Sequence, residues 1–317
     1  MSSLRARARR FVRVAKGLTN SSSRPRYVAE ARRRLRKGER PAAGDGERCL
    51  VCRTARVRHK TITYAKNKEK VCQVGICGHC GYISIPKHTE SDYRAKTHLD
   101  ELSAGARAGT LDRPGREFQM TRMAIDILDR GDLEVLVYGA GRSFDNHHIQ
   151  RLPRVRNVAI GDIMKLRDDA EFIDANQPAP RQFPIVIASE VIEHFRDPRD
   201  DFAKLFKFVQ KDGLIVCGTN IYDGGDLTQD RYIHFPDHTS YYTPEALRRI
   251  ARDAGFSIDF RSPGLGSVRK RYVIFTKSPR VLESVACYFG SHPYAPSETR
   301  PARSQRTRRE KSRRGAS

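Results

Sequence analysis

The sequence predicts an α/β protein built on a doubly wound, mostly parallel sheet, with a small cysteine-bearing module on its N-terminal side. Three observations carry this. Val135-Leu136-Val137-Tyr138 runs straight into Gly139-Ala140-Gly141-Arg142-Ser143, an apolar strand breaking into a small-residue turn. Strand-like runs alternate with helical periods between residues 117 and 280, as a doubly wound sheet requires. Upstream, Cys49-x-x-Cys52 and Cys77-x-x-Cys80 form two knuckles separated by 24 residues.

Residues 1–46 read as a basic, disordered arm ending in Gly44-Asp45-Gly46, and residues 47–95 as a metal-binding module. Residues 96–116 form a polar linker and helix that breaks at Pro114-Gly115. In the main domain, Phe118, Met120, Met123, Ile127 and Leu128 suit a helix before the first strand. Val155 to Ile160 reads as the second strand, ending at Gly161-Asp162. Pro184 to Ser189 is a further buried strand, followed by Glu190-Val191-Ile192-Glu193-His194-Phe195. Phe202, Leu205, Phe206 and Val209 show helical spacing, so a helix is expected to reach Gln210 before the strand that carries Leu214 to Thr219. Thr243-Pro244 opens another helix, with Thr243 as N-cap and Pro244 in its first turn. Ser257 to Arg261 and Arg271 to Thr276 are two β-rich runs separated by the turn region at Gly264–Gly266. Residues 281–317 add a short helix and a basic tail.

The net charge of +23 is concentrated at the ends. Residues 1–48 carry 15 Lys/Arg against 4 Asp/Glu, and residues 297–317 carry 8 against 2, leaving +6 for the 248 residues between. Such tails attract nucleic acid or a membrane surface weakly and without specificity. No apolar run approaches the ~20 residues of a membrane span, and the N-terminus lacks the apolar centre of a secretory signal. Residues 1–29 are rich in Arg and Ser and contain no acid before Glu30, a composition shared by organelle transit peptides and basic tails. Phe11, Val12, Val14 and Leu18 among the arginines also suit a membrane-surface helix. A cytoplasmic location is the default expectation.

Four thiolates from Cys49, Cys52, Cys77 and Cys80 match one tetrahedral metal, and a segment this short buries too little core to dispense with a staple. Structural zinc is therefore expected. A redox pair or two disulfides are the alternatives, the second needing an oxidising compartment. Cys72 is a spare thiol that, like His79, is a substitute ligand by type, and Cys217 reads as core.

Taken together, the glycine turn, the Glu190–Phe195 segment with Asp197-Pro198, and Lys211-Asp212-Gly213 leading into Leu214 to Thr219 resemble the class I S-adenosylmethionine-dependent methyltransferases. The resemblance spans roughly residues 116 to 277 and implies a seven-stranded sheet closed by an antiparallel pair. The chain departs from the family pattern at Tyr138, Ser143 and Pro184. Cys77-Gly-His-Cys-Gly-Tyr-Ile, with a later Tyr such as Tyr93, resembles the zinc domain of some sugar and natural-product methyltransferases. That second resemblance implies a module that shapes or covers the acceptor site.

The resemblance implies a cofactor site at Tyr138, Gly139, Ala140, Gly141 and Ser143. Asp162 stands after the second strand for the ribose hydroxyls, Asp174 after the third for the adenine amine, and Ser189 and Glu190 at the end of the fourth. The loop from Asn220 to Tyr242 is rich in titratable and aromatic groups and is the expected acceptor pocket. His234 and His238 are the candidate bases there, with Glu193 next. The leading expectation is methyl transfer to a small molecule such as a sugar or glycosylated metabolite. An RNA or protein methyltransferase recruited by the tails, and a binding protein without turnover, are the alternatives.

Overall fold

The computed structural model describes residues 47–86, 108–235, 237–264 and 269–290. The basic arm, Tyr93, most of the 96–116 linker, Gly266 and the tail after Gly290 lie outside the described residues. The described residues of 47–222 and of 226–290 form one compact unit. The short segment Asp223–Gly225 is held by the Gly225 amide donating to the Asp223 carboxylate.

The main sheet has seven strands, β4 (Leu133–Tyr138), β5 (Val155–Asp162), β6 (Glu171–Asp174), β7 (Phe183–Ser189), β8 (Val209–Asn220), β10 (Ser257–Arg261) and β11 (Lys270–Thr276), hydrogen-bonded in the order β10-β11-β8-β7-β4-β5-β6. Strands β4 to β8 run parallel, and β11 is antiparallel to both β8 and β10. The doubly wound sheet with its antiparallel closing pair is thus as expected.

Alternate residues of each strand feed opposite faces, as a period of two demands. Leu136, Ala159, Val186, Ile215 and Phe275 pack with α3 (Pro198–Phe206) and α4 (Pro244–Asp253). Val135, Val137, Ile160, Ile187, Val216 and Ile274 pack with α1 (Arg116–Leu128), α2 (Asp145–Gln150) and α5 (Pro279–Phe289). On the first face, the Phe202 ring lies 5.1 to 5.8 Å from those of Phe195, Phe206, Tyr242 and Phe275.

One element differs from expectation. Helix α3 ends at Phe206, and Val209 already belongs to β8. The tertiary pairing wins over helical spacing because Phe183 stands opposite Val209 and its amide donates to the Phe208 carbonyl. Pro184 lacks an N–H, and the ladder shifts register there; a Cβ on Gly213 would lie 2.6 Å from the Pro184 carbonyl oxygen.

The cysteine segment folds as a hairpin of β1 (Val57–Tyr64) and β2 (Asn67–Cys77), continued by β3 (Ile83–Ser84). Its fourth strand, β9 (Ser240–Tyr241), comes from the loop that follows β8. Further bonds tie the two parts. Tyr82 and Ser240 share a hydroxyl–hydroxyl bond of 2.7 Å, Thr243 donates to the Cys80 carbonyl at 2.6 Å, and Arg199 to the Val51 carbonyl at 3.0 Å. Among the described residues no helix is long and apolar enough to cross a membrane.

Candidate active site and cysteine centre

The turn after β4 holds both glycines in the left-handed region, Gly139 at φ +68° and Gly141 at φ +53°. A Cβ on Gly139 would lie 2.5 Å from a Val191 methyl, whereas one on Gly141 would meet nothing within 4 Å. The second glycine therefore opens onto space. Its amide donates to the Asp162 carboxylate at 3.0 Å, and the Ile163 amide to the other oxygen at 2.7 Å. Burial raises the Asp162 pKa against these amide bonds. Gly141 and Asp162 line a small recess with Ile160, Met164, Arg167 and Phe172.

Not every residue expected around the turn faces this recess. Tyr138 packs into the core, its ring 5.7 Å from that of Phe208, and Ala140 is buried in the opposite apolar cluster. Only their backbones belong to the turn. Asp174 stands opposite Asp162 across the β5–β6 ladder and accepts the Asn176 amide, closing a tight turn.

Beneath the turn lies a buried polar group that sequence reading missed. Ser143 donates to the Glu117 carboxyl at 3.1 Å. Asp145, fully buried, accepts the Gly115 amide at 2.6 Å and the Phe118 amide at 3.1 Å, so it caps α1 from the start of α2. Burial, with Asp145 beside it, pushes the Glu117 pKa up to about 8.

On the other side of the turn, Glu190 adopts φ +56° just past β7, a conformation uncommon outside glycine. Its carboxylate pairs with Arg116 at 3.5 Å and with Lys270. Burial and the nearby Arg116 charge pull the Lys270 pKa down to about 7. Ser189 Oγ is buried without a hydrogen-bond partner among the described residues.

Glu193 is wholly buried on a single 3₁₀ turn, Ile192–His194. One carboxyl oxygen accepts from Thr219 at 3.2 Å, and Thr219 in turn shares a bond of 2.8 Å with the Tyr232 hydroxyl. The other, Oε1, is buried without a partner among the described residues. Burial pushes the Glu193 pKa up to about 7.

The candidate histidines are placed differently. His234 ends the 3₁₀ turn Arg231–His234, its ring 5.4 Å from Tyr64 of the cysteine hairpin. His238 Nδ1 lies 2.8 Å from the Tyr232 carbonyl, and its ring packs on Tyr232 and His194. A carbonyl partner places the neutral ring's proton on Nδ1 and leaves Nε2 as acceptor.

The four cysteines converge, all four sulfurs lying within 4.8 Å of one another. Cys49 and Cys80 sulfurs are 3.7 Å apart and those of Cys52 and Cys77 3.5 Å apart. These separations exceed a disulfide bond and match the ~3.8 Å edge of a tetrahedron with bonds of about 2.3 Å to zinc. The Val51 and His79 amides each donate to a sulfur at 3.4 Å, as tight knuckles allow. Cys72 bonds instead to the Gln73 carbonyl, and His79 is exposed.

A family model described as a methyltransferase domain matches residues 90–259. Among solved structures, an O-methyltransferase family protein from Burkholderia thailandensis is 16% identical, with a TM-score of 0.43; the match covers 59% of this chain and 61% of that one. The Burkholderia thailandensis 1,6-didemethyltoxoflavin-N1-methyltransferase, solved with 1,6-didemethyltoxoflavin and S-adenosylhomocysteine, is 14% identical over 64% of this chain and 93% of that one, with a TM-score of 0.41. A TehB-like SAM-dependent methyltransferase from Corynebacterium glutamicum is 14% identical over 58% of this chain and 97% of that one, with a TM-score of 0.39. No curated protein matches the sequence.

The raised Glu117 pKa makes stability fall with rising pH, because the folded state holds a proton there that the unfolded chain releases above about 4.5. Urea unfolding should therefore show stability declining from pH 5 to 8, and Glu117→Gln should flatten that decline. An unchanged slope in the variant would assign the decline to other groups.

Proposed function

The chain belongs to the methyltransferase-domain family, and on that premise we propose that it transfers a methyl group from S-adenosylmethionine to a small-molecule acceptor such as a sugar or glycosylated metabolite. The observation that carries the reading is the convergence, at one sheet edge, of an open-faced glycine turn with buried polar atoms that lack partners. Gly141 leaves room for a ligand against the backbone, and Ser189 Oγ and Glu193 Oε1 face inward without hydrogen bonds among the described residues.

These residues fit the cofactor. Asp162 suits the ribose hydroxyls, while the Gly139–Ser143 turn lets the ligand approach the backbone. Asp174, one strand further, is the candidate for the adenine amine. When bound, the cofactor supplies an electrophilic methyl on a sulfonium. The chain's own contribution is alignment and proton removal. Glu193 is the favoured base over His234 and His238. Its carboxyl sits on the short 3₁₀ turn that follows β7, has an oxygen without a partner among the described residues and a pKa raised to about 7, close to the optimum for proton transfer. His238 is next, through Nε2.

Cys49, Cys52, Cys77 and Cys80 would hold one structural zinc. Through β3 and β9 that centre braces the acceptor loop, which is consistent with a module covering the acceptor site.

Calorimetry should show S-adenosylmethionine binding to the wild-type protein. Gly141→Val should abolish it, since a branched side chain would fill the open space and strain a left-handed position. Wild-type affinity in a folded variant would refute the site. Elemental analysis should find one zinc per chain, lost in Cys77→Ser together with local order; a metal-free but ordered hairpin would speak against a metal staple. Once an acceptor is found by transfer of labelled methyl to a sugar and nucleotide-sugar panel, Glu193→Gln should lower turnover by roughly 10²–10⁴ with cofactor affinity intact. Normal turnover would move the base to His238.

A further inference from the structure

Behind the carboxyl of Glu193 runs a chain of buried polar groups that ends on a second acid, Asp230. Glu193 is held in two ways. The loop after β8 fixes its backbone, the Thr239 amide donating to the Glu193 carbonyl at 2.9 Å and the Tyr242 hydroxyl to the Ile192 carbonyl at 3.0 Å. Its carboxyl is held by Thr219 near the end of β8, and Thr219 in turn by Tyr232 on the turn Arg231–His234. Thr219 has a single hydroxyl proton and gives it to Glu193 Oε2 at 3.2 Å, so the 2.8 Å bond between Thr219 and Tyr232 is donated by Tyr232. Two hydroxyl donors thus stand in line behind one carboxyl oxygen. The other, Oε1, is buried without a partner among the described residues.

Tyr232 is itself set by Asp230. This buried carboxylate accepts the Tyr232 amide on Oδ1 at 3.0 Å, and on Oδ2 it accepts the Tyr241 hydroxyl at 2.8 Å and the Arg269 guanidinium. The partners come from separate parts of the fold. Tyr241 lies on β9, and Arg269 stands just before β11, where its carbonyl accepts the Ile221 amide at 2.9 Å. Asp230 therefore ties the acceptor loop to the hairpin's sheet on one side and to the β8–β11 ladder on the other. The Tyr232 ring packs on Tyr241 and His238, with centroids 4.7 and 4.2 Å away, so its side chain is fixed as well as its backbone.

We infer that Asp230 and Tyr232 are positioning residues for Glu193: Asp230 sets Tyr232, and the Tyr232 hydroxyl acts through Thr219 to hold Oε2 and leave Oε1 to the acceptor. The inference rests on Glu193 being the base. Oε1 then receives the acceptor's proton while the electron pair stays on the acceptor atom. Burial pushes the Glu193 pKa up, and the bonds from Tyr232 and Thr219 pull against it by favouring the carboxylate, which keeps the group at about 7. The charge of Arg116 on α1 pulls the same way. Cys217 of β8, Tyr242 and the neighbouring His194 also stand close to Glu193, and burial favours the neutral form of each.

The carboxyl can be followed without an acceptor. Infrared titration of the full-length protein reads the protonated acid, and the band lost in Glu193→Gln identifies it. Tyr232→Phe should raise the Glu193 pKa by about one to two pH units, the scale of a lost hydrogen bond to a charged group. Asp230→Ala should raise it too, and the double variant should add nothing beyond Tyr232→Phe, because Asp230 acts through Tyr232. Asp230→Asn still accepts the Tyr232 amide and should restore most of the wild-type value. Thermal melts establish that each variant is folded; if Tyr232→Phe is not, Thr219→Val breaks the same chain and should give the same rise. A Glu193 pKa unmoved in the folded variant would overturn the inference. Additive effects of Asp230→Ala and Tyr232→Phe would overturn it as well, leaving Asp230 a purely structural group. Once methyl transfer is measured on the acceptor panel, the rising limb of kcat against pH should move up with the carboxyl, and a limb that stays in place would contradict the role in catalysis. Normal turnover in Glu193→Gln would instead remove the base on which the inference stands, a result distinct from a carboxyl that does not move.

Discussion

The arrangement of this protein depends on one constraint, the burial of its central strands on both faces. Strands β4, β7 and β8 lie between two apolar clusters, and every residue of Phe183–Ser189 is buried. A polar side chain in the middle of such a strand would be left without water or partner. Chemistry is therefore confined to the strand ends. Asp162, Ser189, Thr219 and Asn220 are each the last or next-to-last residue of a strand, and the glycine turn begins where β4 stops. The seven strands thus act as a fixed comb that brings groups distant in sequence to one edge.

What could be read from the sequence was what is local. The glycine turn follows from adjacent residues, Asp162 from its place at a strand end, and the cysteine cluster from spacing alone. Groups whose meaning depends on contacts between elements were not legible. Glu117 and Asp145 are ordinary acids in sequence; they gain a role only because α1 begins beside α2. Arg116 and Lys270 are separated from Glu190 by 74 and 80 positions and carry no motif. Val209 shows the opposite failure, since its helical spacing was clear but pairing with Phe183 made it strand. Histidine is the residue type expected for a base, yet type says nothing of direction. The rings of His234 and His238 are engaged by Tyr64, Tyr232 and His194, whereas Glu193 keeps one buried oxygen unpartnered.

The cysteine segment carries the same lesson at a larger scale. Its spacing predicted a compact module, and the four sulfurs do converge. Its sheet, however, is completed by Ser240–Tyr241, a two-residue strand that no periodicity could announce. The apolar groups Ile62, Val74, Ile83 and Ile85 share a cluster with Leu227, Tyr232, Ile233 and Tyr241. The loop after β8 is therefore packed between the hairpin and the strand edge. Order in the hairpin and order in the loop are mechanically linked, because each covers the other's apolar face.

The central claim is that the ligand lies across the glycine turn, from Asp162 on one side to the residues after β7 on the other. Hydrogen exchange measured by mass spectrometry with and without S-adenosylhomocysteine reads this directly. The account predicts slowed exchange in both the 139–143 and the 189–193 segments. Unchanged exchange in both segments at saturating ligand would contradict it.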